Sequence, residues 1–122
     1  MTDFHESWDA LPDEVKDMHR ALTSLKEEIE AVDWYHQRQA MATDEGLRKI
    51  LVHNRDEEIE HACMALEWLR RVEPAWDEQL RTYLFTSAPV TEVEEEAEGG
   101  GDGGGPGGGG PGGGGLGIGK ID

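Results

Sequence analysis

Basic side chains are scarce in this chain, as are cysteines and long apolar runs. Against 27 Asp and Glu stand only 11 Lys and Arg, for a formal charge of −16. The shortage holds throughout: 10 basic against 20 acidic residues in 1–90, then 1 against 7 in 91–122. Such a surface repels nucleic acid and anionic lipid, which argues against both as partners, and it gathers cations around the protein. The lone Cys63 excludes an intramolecular disulfide framework and fits a reducing compartment, where it reads as a small helix-packing residue. No run of 18 apolar residues occurs, and the opening MTDFHESWDALPDE is acidic without an apolar stretch. Neither a membrane span nor a leader is therefore expected. The expectation is a soluble, cytoplasmic protein.

What is present divides sharply. Residues 1–90 hold essentially every large apolar side chain, whereas 91–115 form an acidic run that passes into a Gly/Pro tract unable to pack a core. A folded helical domain over 1–90 is expected, followed by a flexible linker over 91–115. Good helix formers and Pro12 near the start predict a first helix from Pro12 to Ala42. Thr43 and Asp44 offer N-cap chemistry for a second helix, Asp44 to Arg71, with Gly46 in the turn region and Arg70 and Arg71 suited to its C-terminal dipole. Glu73-Pro74 opens a shorter third helix covering Trp76, Leu80, Tyr83 and Leu84, and Pro89 ends the folded part. The fold class is all-α: two long antiparallel helices plus a short one. Such a hairpin has a single seam and leaves apolar surface uncovered, so a stable monomer is not expected.

The apolar stripes carry residues that do not belong on them. On the first helix the stripe runs Leu11, Val15, Met18, Leu22, Leu25, Ile29, Val32, and Glu28 falls within its arc. On the second it runs Leu47, Leu51, Asn54, Glu58, His61, Ala65, Trp68. An inward-facing carboxylate without a partner costs several kcal/mol or takes up a proton, so a shared cation explains the set best.

Glu58 and His61 form an E-x-x-H pair, one turn apart on one face, able to hold one cation through carboxylate oxygen and imidazole nitrogen. In a Glu-rich helical protein that pair alone is common. Its place on the stripe, the facing Glu28 and the nearby Glu27, Glu30, Glu57 and Glu60 raise its weight. Ferritin-like di-metal sites take one Glu from each of two helices and an E-x-x-H from each of two others inside a four-helix bundle. This chain carries one of each, so two hairpins related by a two-fold axis would complete both bundle and site. Four carboxylates and two imidazoles suit iron or manganese better than a Cys-rich zinc or copper site would.

The segments EEIEAVDWY (Glu27 to Tyr35) and HNRDEEIEHA (His53 to Ala62), with LEWLRR and RTYLFT beyond them, resemble the encapsulated ferritin family of encapsulin cargo proteins. The resemblance covers most of residues 12–90. It implies a helical-hairpin protomer, dimers that recreate a ferritin-type four-helix bundle, and a ring of dimers, a decamer. It also implies an iron-oxidising di-iron centre at the dimer interface, with Glu28, Glu58 and His61 as iron ligands. Tyr35 and Trp34 would flank it. Glu27 and Glu30 would form a peripheral metal-uptake site, which calcium or manganese can also fill.

The last seven residues, LGIGKID (Leu116 to Asp122), bring apolar side chains back after the Gly/Pro tract, in the manner of a short linear motif that docks in a partner's groove. Leu116, Gly117, Ile118 and Gly119 are similar to the core of encapsulin targeting peptides, and the KID ending departs from the commoner one. The resulting expectation is a ferroxidase that acts as cargo inside an encapsulin shell. A rubrerythrin-like peroxide reductase and a metal-stapled structural cargo protein are the alternatives.

Overall fold

The structure is a computed structural model, and it describes residues 4–100. Among them are a 3-10 turn, Trp8–Ala10, four α-helices and no strand: α1 Asp13–Met41, α2 Glu45–Val72, α3 Pro74–Tyr83 and α4 Val90–Gly100. The three expected helices form within a residue or so of their expected bounds, except that α3 closes at Tyr83, so that Leu84 lies beyond it. The chain divides into two compact units, Met1–Leu69 and Arg70–Asp122, a boundary that falls inside the 1–90 stretch expected as one domain.

In the first unit, each helix end has a local cause. Pro12 is extended at the head of α1, and its carbonyl accepts from the N–H groups of Val15 and Lys16, both at 3.0 Å. Asp13 and Glu14 then place negative charge on the first turn. Before α2, Asp44 supplies the N-cap: its Oδ2 accepts from the Leu47 N–H at 2.9 Å. Gly46 belongs to this first turn of α2 instead of the connection, and a Cβ there would lie 3.2 Å from the capping Oδ2. Glycine therefore lets the cap close in. Only residues 42–44 separate the two helices, and Glu28 of α1 meets His61 of α2 about four turns from that connection on either side. α1 and α2 are thus an antiparallel hairpin.

The N-terminal residues add a cluster that no periodicity announces. Phe4 and Trp8 meet edge to face at 5.2 Å between ring centroids, and both lie against His19 of α1. Lys16 Nζ and Arg20 Cζ sit 5.4 and 5.2 Å from the Trp8 ring, which ties the N-terminal segment to the first turns of α1.

Most apolar positions of the two stripes remain partly open. Leu69 is the one fully buried large side chain among the described residues, while Leu22, Ile29, Leu47, Ile59 and Trp68 are exposed. A single hairpin has no second layer to cover them.

In the second unit, Glu73 caps α3 and Pro74 takes its first position, where a missing N–H costs nothing. Asp77 binds both Arg70 and Arg81, the latter at 2.9 Å. After α3, Phe85 adopts a left-handed backbone, φ 65°, with its ring 85% exposed. The linker expected from residue 91 is helical over its first ten residues. Pro89 presents its carbonyl to the N–H groups of Glu92 and Val93, Glu92 suits the N-terminal dipole, and Glu and Ala propagate a helix well. α3 and α4 touch, and partial burial, then the charges of Glu94 and Glu98, push the Tyr83 phenol above its usual range. The rest of the expected linker and the motif at 116–122 lie outside the described residues.

Candidate metal centre

Glu28, Glu58 and His61 converge. One donor atom from each lies within 4.8 Å of the other two. His61 Nδ1 is 3.6 Å from Glu28 Oε1 and 3.5 Å from Glu58 Oε1. Donors at a metal–ligand distance of roughly 2.1 Å and near-tetrahedral angles are roughly 3.4 Å apart, so one cation fits among these three without moving a helix. The set is two hard oxygens and one imidazole nitrogen, with Cys63 exposed and outside it. That chemistry fits iron or manganese.

The ligand side chains are half-buried where the stripe alone predicts full burial: Glu58 keeps 24% of its side-chain surface, Glu28 28% and His61 45%. The reason is the one that leaves Ile29 and Trp68 open, namely that a hairpin covers only one side of its seam. Two carboxylates held this close repel when both are ionised. The hydrogen bond to Glu58 does most to push the Glu28 carboxyl above the usual range, then partial burial and the Glu58 charge, against a smaller opposing effect of His61.

That shift has a sign. A carboxyl whose pKa is higher in the fold than in the unfolded chain binds its proton more tightly when folded, so its protonation stabilises the metal-free hairpin as pH falls through the raised value. A cation needs the same oxygen bare. The apparent affinity for a divalent metal is therefore expected to begin falling at a higher pH than an ordinary glutamate would give. Isothermal titration with Mn(II) between pH 7 and 4.5 checks it, and a flat profile down to 4.5 would count against a shared Glu28–Glu58 site.

The remaining residues named from sequence are Tyr35, Trp34, Glu27 and Glu30. Tyr35 is two turns further along α1, about 10 Å by helical rise, and its ring packs under the Arg38 guanidinium at 5.1 Å. Trp34 is half-exposed beside Gln37 and Arg38. Glu27 is exposed on α1, and Glu30 lines an open groove with Leu22, Leu25, Lys26, Ile29 and Asp33. Among the described residues, neither Glu27 nor Glu30 joins the three-residue cluster.

Two contacts had no part in the sequence-based site. His61 Nε2 faces Glu57 Oε1 at 3.8 Å, and Glu57 Oε2 faces His53 Nε2 at 3.8 Å. The signal available was the i, i+4 spacing of His53, Glu57 and His61, which puts all three on one strip of α2. It was masked by the number of other acids nearby.

The chain matches the EncFtn-like family over residues 3–87, a stretch that takes in α1, α2 and α3. It is 63% identical over 99 residues to a ferritin-like protein of Thermotoga maritima, covering 81% of this chain and 87% of that one. It is 54% identical, also over 99 residues, to an encapsulated ferritin-like protein of Rhodospirillum rubrum, covering 81% and 70%. The crystal structure of a Nitrosomonas europaea protein superposes with a TM-score of 0.70 at 54% identity, over 73% of this chain and 98% of that one. With an antiparallel hairpin and an E-x-x-H facing a second acid, and with relatives matched over most of their length, the chain belongs to the EncFtn-like family of encapsulated ferritins.

Proposed function

We propose that this protein oxidises ferrous iron with dioxygen at a two-metal centre completed by a second copy of the chain, and that it does so as cargo of an encapsulin shell. The observation that carries the reading is the meeting of Glu28, Glu58 and His61 from two helices, half of a ferritin-type donor set. A two-fold pairing of hairpins would supply four carboxylates and two imidazoles. The exposed Ile29, Leu47, Ile59 and Trp68 favour such a pairing, since a four-helix bundle buries faces that one hairpin leaves in water.

Ferrous iron is the substrate, and the chain's acidic surface concentrates it, with Glu27 and Glu30 exposed on α1 to pass it inward. Bound as a pair, the ions would give up their electrons to dioxygen. The residues supply the rest. Glu28 and Glu58 must be deprotonated to bind, and their anionic oxygens favour the ferric product, while His61, on the same helix as Glu58, offers Nδ1. An open hairpin assembly encloses no mineral cavity, so the product would be stored in the volume of the shell. The encapsulated relative supports that destination, and Leu116 to Gly119 are the residues proposed to dock on the shell. No described helix is long and apolar enough to cross a membrane.

Adding ferrous iron to the purified protein and following oxygen consumption tests the reading. Uptake of oxygen in proportion to iron is expected; peroxide turnover with a reductant and no oxygen uptake would favour a rubrerythrin-like reductase, and neither would leave a metal-stapled structural cargo.

Metal and assembly should also be linked, because binding energy contributed by ligands of two chains stabilises the associated state. Native mass measurements across a ferrous iron titration are expected to show the oligomer fraction rising. An oligomer distribution indifferent to iron would remove the shared-site argument.

A further inference from the structure

We propose that Glu57 is a positioning residue for this centre: its carboxylate orients the His61 ring through Nε2, so that Nδ1 presents an unprotonated lone pair to the ion. The inference rests on the reading of Glu28, Glu58 and His61 as ligands. A neutral imidazole carries one N–H, and which nitrogen bears it is set by the partner of the other. His61 Nδ1 is the atom that faces both carboxylates of the cluster, so it ligates only in the tautomer with the proton on Nε2. Glu57 Oε1 lies 3.8 Å from that Nε2. The gap is longer than a direct hydrogen bond, and a small side-chain adjustment or one bridging water closes it. The other oxygen of Glu57 faces His53 Nε2 at 3.8 Å, one turn earlier on the same strip of α2. A carboxylate placed between two imidazoles, each four residues away, is in position to select the tautomer and orientation of the one that meets the metal.

A plain surface acid would do something different. It would raise the local concentration of cations through its charge, and any carboxylate on this face would serve. Glu57→Gln separates the two roles, since the amide oxygen still accepts from Nε2–H while the charge is gone. The full-length chain is titrated with Co(II), and both affinity and the visible absorption of the bound ion are read, with far-UV circular dichroism as the check on folding. Glu57→Ala is expected to weaken Co(II) binding by about tenfold or more and to move the absorption toward that of His61→Ala. Glu57→Gln should stay within about threefold of the unaltered protein with its spectrum kept, as should Glu60→Ala, which removes a charge from the same helix. Wild-type affinity and spectrum in Glu57→Ala would overturn the positioning role. So would equal losses in the Gln and Ala variants, which would assign the effect to charge. Absence of Co(II) binding by the unaltered protein would instead overturn the metal centre itself, and this inference with it.

Discussion

Replacing Glu58 or His61 by Ala is expected to abolish most iron oxidation, by at least about tenfold, while helix content stays nearly unchanged. Each substitution removes a donor from the three-residue cluster, whose atoms all lie within 4.8 Å. Neither removes much packing, because both side chains keep about a quarter or more of their surface in water, and Ala sustains a helix at least as well as Glu or His. Glu60→Ala on the same helix is the control, as Glu60 is exposed and outside the cluster. Oxygen-electrode traces on ferrous iron addition, set beside circular dichroism, read both quantities. If all three variants lost activity equally, bulk acidity would account for the oxidation and the defined centre would not.

The second large effect concerns location. Deleting Leu116 to Asp122 should leave oxidation by the free protein intact, since the donors lie at 28, 58 and 61 and the family match ends at residue 87. Co-expressed with its shell, the truncated protein is expected to remain outside, and so is a chain with Leu116→Asp and Ile118→Asp, which would place charges in an apolar groove. Copurification of either variant with shells at the wild-type ratio would refute the docking assignment. The iron reading would survive that result.

Helix existence was legible because it is written in local chemistry. The 3.6-residue spacing of apolar side chains, Asp44 ahead of α2 and Pro74 at the head of α3 act within a turn or two of themselves, and the structure shows each in the expected role. The helix over 91–100 was not legible. Composition reads 91–100 as the beginning of an acidic Gly-rich tract, but Pro89 organises the first turn of α4, and α4 packs on α3 next to Tyr83. Contacts of that kind join residues with no periodic relation, as do those of Phe4 and Trp8 with His19.

For the site, the sequence by itself singled out the three residues that meet, because a carboxylate on an apolar stripe is anomalous in any fold and Glu58 and His61 share a face by helical geometry alone. Tertiary structure decided the rest. Only the closing of the hairpin brings Glu28 within 3.6 Å of His61 and raises the Glu28 pKa against Glu58. It also decided how deep the centre lies. Burial of a side chain depends on what covers it from other elements, and with one helix pair the stripe residues are half-covered, so the depth of Glu28, Glu58 and His61 follows from the number of layers and not from their spacing.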